Sequence, residues 1–77
     1  MINQKLRSII LIILKEKSLD LSNLAPLSSL PSWDSFMNID FILCCEAEFR
    51  IKFQPEEIEN LKNLNDFTNS ISNKINN

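Results

Sequence analysis

A chain of 77 residues, 44% of them hydrophobic, has enough apolar material for one small domain near the size where a single core is only just sufficient. A net charge of −2 and a pI near 4.9 argue against a nucleic-acid binder, which needs a clustered basic face. The chain has no His, no Tyr and no Gly. A Ser-His-Asp or Cys-His relay therefore cannot be assembled, no glycine-rich loop cradles a nucleotide, and intrinsic catalysis is not expected.

The lack of Gly also disfavours tight hairpins. Together with abundant Leu, Ile, Asn, Lys and Glu it points to an all-α domain spanning residues 1–77. Cys44 and Cys45 are adjacent, so on a helix their side chains diverge by about 100° and cannot form an ordinary disulfide. They read as small buried or half-buried thiols in a reducing, cytoplasmic compartment. With no His and no second Cys pair, no zinc site is expected. The aliphatic run Ile9 to Leu14 is six residues long, against the ~20 needed to span a bilayer.

In chain order, Ile2, Leu6, Ile9, Ile10, Ile13 and Leu14 follow helical spacing and predict an amphipathic helix from Ile2 to about Lys17. Lys5, Arg7, Lys15 and Glu16 supply its wet face. Leu11 and Ile12 widen the apolar stripe, which implies more than one packing neighbour. From Leu19 to Pro31 the leucines at 19, 21, 24, 27 and 30 recur every two or three residues, but Pro26 and Pro31 break helix continuity. The expectation is a long loop pinned to the core by leucines, with room for a short turn near Leu21 to Leu24. Long loops in small domains are often functional.

A second long helix is expected from about Ser35 to Arg50, with Asp34 or Ser35 as its N-cap. Ile39, Ile42, Cys45 or Glu46, and Phe49 form its inward stripe, leaving Phe36, Met37 and Leu43 partly exposed. Pro55 suits the first turn of a short third helix with Glu56 and Glu57 at its positive end, anchored by Ile58 and Leu61. Asn63 can cap a last helix from about Leu64 to Ile75, with Leu64, Phe67, Ile71 and Ile75 on one face and a frayed Asn76-Asn77 tail. The expected core is Ile9, Ile13, Ile42, Phe49, Ile58, Leu61, Phe67 and Ile71.

Charge is unevenly distributed. Residues 1–30 carry +2, residues 31–59 carry −5 and residues 60–77 carry +1. The acidity surrounds Ser35, where the first turn of a helix offers free N–H groups and a positive dipole end to an anion. Such a cluster is often a solvated face. At an anion-favouring helix start it favours a basic partner surface.

Asp34-Ser35-Phe36 at a helix start, followed by Glu46-Ala47-Glu48-Phe49-Arg50-Ile51-Lys52-Phe53 and then Glu56-Glu57-Ile58, resembles the acyl carrier protein family. The resemblance runs over about residues 30–75, with Met1 to Lys17 fitting the family's first helix loosely. It implies a four-helix bundle, three helices longer and one short, with a long loop between the first two. It further implies a 4′-phosphopantetheine arm on Ser35, added by a phosphopantetheinyl transferase. Cargo would then be held as a thioester and presented to acyl-loading and acyl-transferring enzymes with basic or apolar docking patches. Docking would fall to Asp34, Phe36, Met37, Asp40, Leu43 and Glu46, with the carrier a monomer.

Four positions depart from the family pattern. Phe36 replaces the usual Leu, a swap found in some carriers of amino-acid cargo, and Arg50 stands where a small or acidic residue is common. Met37 and Ala47 occupy places that are usually acidic in main fatty-acid carriers. The implied protein is therefore a stand-alone carrier of a specialised pathway. Two alternatives stay open: an unmodified helical interaction module with Ser35 as a plain cap, and a carrier of amino-acid cargo for a peptide or cell-envelope pathway.

Overall fold

The computed structural model describes residues 1–76. Four helices follow in chain order, α1 (Ile2–Leu14), α2 (Ser35–Phe49), α3 (Pro55–Ile58) and α4 (Leu64–Ile75), with a single 3-10 turn at Leu27–Ser29. There is no strand among the described residues. The all-α bundle of three longer helices and one short one is thus as expected. Asn77 lies outside the described residues, and the expectation of a frayed tail there lies outside with it.

α1 is shorter than its predicted end at about Lys17. Lys15 enters the left-handed region at φ 58°, and the amide of Glu16 closes back on the Leu11 carbonyl at 3.0 Å, an arrangement that stops a helix. Glycine is the usual residue for this job. A chain without glycine gives it to Lys15 here and to Arg50 at the end of α2, with Ser32 adopting a third positive φ in the connecting loop. Each costs about 1–2 kcal/mol relative to a right-handed conformation. As the wide stripe implied, α1 packs against both α2 and α4. Leu6 and Ile10 are fully buried, while Ile12 remains exposed.

The α1–α2 connection is an irregular strap laid on the core. Leu21, Leu27 and Leu30 are buried as expected, but Leu24 is 73% exposed. The strap is tied at several points. Asn23 Oδ1 accepts from Arg7 Nη2 at 2.7 Å and from Asn3 Nδ2 at 3.0 Å. Its carbonyl accepts from the Asn65 amide at 3.0 Å, and the Leu27 amide donates to the Lys62 carbonyl at 2.9 Å. A segment bonded through the Asn23 side chain to α1, and through its backbone to the first turn of α4 and the α3–α4 connection, presents its far end in one place. That far end is Ser35.

The core departs from the expected set in α2. Phe41 is fully buried and Ile39 is 54% exposed, the reverse of the predicted stripe. Apolar residues occur on nearly every side of α2, so its own periodicity does not fix which face turns inward. Tertiary packing selects Phe41, Ile42 and Cys45, a face rotated by about 60° from the expected one at 100° per residue. Phe41 lies edge-on to Phe67 at 4.8 Å and to Trp33 at 5.8 Å, and Phe53 meets Phe67 at 5.9 Å. Phe49, Ile9, Ile13 and Ile58, all expected in the core, are half-buried against it, whereas Ile42, Leu61, Phe67 and Ile71 are buried. Ile75 is half-exposed.

α3 starts at Pro55, with the Glu57 carboxylate accepting from the Gln54 amide. Leu61, expected as an anchor of α3, is buried just beyond its end. α4 begins as predicted: Asn63 Oδ1 accepts from the Asp66 amide at 2.8 Å while Asp66 Oδ2 accepts from the Asn63 amide at 3.3 Å. This reciprocal pair satisfies donors that the helix leaves open. Lys74 Nζ and Glu57 Oε1, 2.7 Å apart and both largely shielded, join α3 to α4.

Candidate functional site

The N-terminus of α2 settles which residue caps it. Asp34 sits in extended conformation and its Oδ1 accepts from the Met37 amide at 2.9 Å. Ser35 is the first helical residue, exposed, and its hydroxyl is in no hydrogen bond among the described residues. The cap, worth about 1 kcal/mol, is therefore supplied by Asp34, and Ser35 is free of that structural duty. The amides of Ser35 and Phe36 have no acceptor within the helix, which leaves donors and the positive dipole end beside the hydroxyl.

Ser35 lies at the edge of a cleft of about 480 Å³ between the strap, the start of α2 and the α3–α4 connection. Leu27, Trp33, Ile39, Ile58 and Leu61 give it apolar walls, and Asp34 and Lys62 bring one charge of each sign. The size falls within the range of small-molecule sites. Trp33 and Leu27 belong to the strap, so the same contacts that hold the strap to the core also shape the cleft. Ile39, which the sequence pattern had placed in the core, is part of this wall and of the outer face.

Along the outside of α2, Phe36, Ile39, Leu43 and Ala47 form an exposed row at intervals of three and four residues, with Asp40 beside it. Phe36 is 79% and Leu43 55% exposed. Met37 is half-buried. The carboxylates beyond Asp40 are otherwise occupied. Glu46, grouped by the sequence with the docking residues, turns inward instead: its side chain is 14% exposed, and Oε2 accepts from the Phe53 amide at 2.9 Å, closing the α2–α3 connection. Glu48 pairs with Lys5 of α1 at 3.2 Å. The outer face of α2 is consequently more apolar than its sequence composition suggests.

The two cysteines differ. Cys45 is fully buried, and desolvation, with smaller contributions from Cys44 and Glu46, pushes its thiol up from 9.0 to about 12. It is unreactive at neutral pH. Cys44, expected to be buried or half-buried, is exposed; it lies about 100° round the helix from the buried Cys45. No group of His, Cys, Asp and Glu suited to a metal ion occurs among the described residues. No helix there is long and apolar enough to cross a membrane.

No family model matches the chain, and no curated protein matches it significantly. Among solved structures, the chain is similar to a holo acyl carrier protein from Geobacter metallireducens determined by solution NMR. The two share 25% identity with a TM-score of 0.85, over 95% of this chain and 84% of that one. The fold is acyl-carrier-like.

Proposed function

We propose that this chain is a carrier protein: Ser35 takes a 4′-phosphopantetheine arm from a phosphopantetheinyl transferase, and the arm holds an acyl group as a thioester for partner enzymes. The observation that carries this reading is the division of labour at the head of α2. Asp34 performs the capping, so an exposed serine hydroxyl at the first helical position has no structural task. An attached phosphodiester would sit against open helix-terminal amides, and a solved structure of similar fold is a holo acyl carrier protein. The thioester chemistry belongs to the arm. The chain's own residues would orient it and display Asp34, Phe36, Met37, Asp40 and Leu43 to partners. The interaction-module reading had Ser35 as a plain cap, a role that falls to Asp34.

The test is transfer in vitro. Incubating the apo protein with coenzyme A and a broad-specificity phosphopantetheinyl transferase should add the mass of one arm to the wild type and nothing to Ser35→Ala, whose melting point should match wild type. Arm mass on the alanine variant, or none on the wild type with several transferases, would overturn the assignment.

The apolar row Phe36, Ile39, Leu43 and Ala47 further supports a specialised pathway. A docking face with few free carboxylates relies less on electrostatic steering toward a basic partner and more on burial, which salt does not screen.

A further inference from the structure

The cleft beside Ser35 has a charge feature that the carrier reading does not use. Lys62 is the only cation among its lining residues. Three of the described cations, Lys5, Lys52 and Lys74, have carboxylate partners within 4 Å, and Lys62 is not among them. Its backbone is held on both sides: the carbonyl accepts from the Leu27 amide at 2.9 Å, and the amide donates to Asp66 Oδ2 at 2.9 Å. The root of the side chain is thereby fixed at the cleft wall, next to apolar Leu61 and Ile58, while the residue is exposed and its ammonium has no carboxylate partner among the described residues. Asp34, the only carboxylate in the lining, already accepts the Met37 amide.

We propose that the cleft accommodates cargo bearing a carboxylate, its methylene segment against Leu27, Ile39, Ile58 and Leu61 and its charge paired with Lys62. This rests on the carrier reading of Ser35 and narrows the class of cargo. An amino-acid cargo would bring an ammonium toward Lys62, and like charges repel. A plain alkanoyl group would fill the apolar walls but leave Lys62 unpaired. Because the pair is partly solvated, its effect is modest, about a 1.5- to 5-fold increase in the docked-to-free ratio of the cargo, and it weakens with salt.

The experiment uses the full chain loaded by a phosphopantetheinyl transferase from three coenzyme A thioesters of matched length: glutaryl, pentanoyl and 4-aminobutanoyl. Loading is verified by intact mass, and the unacylated holo form serves as reference. NMR shifts at the Lys62 side chain and the Ile58 and Leu61 methyls are recorded for each, at low and high salt. The glutaryl form should move Lys62 and both methyls and melt a few degrees above the 4-aminobutanoyl form; Lys62→Met should abolish the difference. Lys62→Met is expected to fold, because only the backbone of residue 62 is bonded to the core. Equal shifts for all three cargoes, or a glutaryl effect that survives Lys62→Met, would overturn the proposal. So would a full Lys62 shift already present in the unacylated holo form, which would assign the ammonium to the arm's phosphate. If the wild type gains no mass, the carrier reading fails and this proposal fails with it. Loading without the Lys62 effect removes this proposal alone.

Discussion

Replacing Phe41 by Ala separates the observed core from the one that periodicity predicts. The ring is fully buried and meets Trp33 and Phe67 edge-on, so the substitution removes a complete aromatic burial and two favourable ring contacts. Phe→Ala in a core costs about 3–5 kcal/mol, and each edge contact adds about 0.5–1.5 kcal/mol to what area alone would give; we take about 4 kcal/mol. A 77-residue chain has about 4–12 kcal/mol of total stability, so the variant sits near its unfolding midpoint or loses about 15–30 °C in Tm. Phe49→Ala, at a half-buried ring with Lys5 Nζ 5.9 Å from its centroid, should cost about half as much, scaled by exposure. Thermal melts by circular dichroism give both numbers. Trp33, the only tryptophan, reports separately through its emission, which should shift to the red in Phe41→Leu as one wall of its contact is lost. A Phe41→Ala melt within about 5 °C of wild type, or a Phe49→Ala variant that is the less stable of the two, would refute the packing described here.

Other expectations concern the ion pair, the thiols and the docking face. Burial tends to raise the Glu57 carboxyl, but the Lys74 ammonium, the Gln54 amide and the Ser70 hydroxyl outweigh it and hold the pKa below its ordinary 4.5. Stability from this group is therefore complete above about 4.5 and lost as pH falls through the lower folded value; Glu57→Gln should flatten the acid limb of a Tm-against-pH curve, and an unchanged limb would remove Glu57 as its source. Iodoacetamide should label Cys44 in the native protein and Cys45 only in urea, with rapid native double labelling contradicting the burial of Cys45. Acyl-loaded protein offered to the fatty-acid ketosynthase of its own host should turn over poorly beside the host's main carrier, and Met37→Asp with Ala47→Glu should restore some activity. Equal turnover from the start would count against a specialised pathway.

Helix positions were largely legible from local chemistry. Asn63 with Asp66 and Pro55 with its following glutamates marked two helix starts, and both appear where they were expected. The end of α1 was misplaced by about one turn because the stop is made by Lys15 in a left-handed conformation, a task for which lysine gives no sequence signal. The phase of α2 was misjudged for a different reason. A helix apolar on most sides satisfies several inward stripes equally well, and only the positions of Trp33, Phe67 and Phe53 select Phe41. The spacing Phe41, Ile42, Cys45, Phe49 is as helical as the set first chosen, so the signal existed without being decisive.

The rotation of α2 also changes what charge counting can say about the site. The −5 of residues 31–59 suggested an acidic presentation of Ser35, yet Glu46 is spent on the Phe53 amide, Glu48 on Lys5 and Glu57 on Lys74. A sequence sum weights these carboxylates equally with Asp40, although one that faces an ammonium, as Glu46 does Lys52 at 3.9 Å, forms a nearly neutral pair and contributes little net field to a partner. The same turn of the helix that places Phe41 inward puts Ile39 outward and at the wall of the Ser35 cleft. One packing choice thus sets two properties together: an apolar outer row for partners, and an apolar wall for whatever an arm on Ser35 would carry.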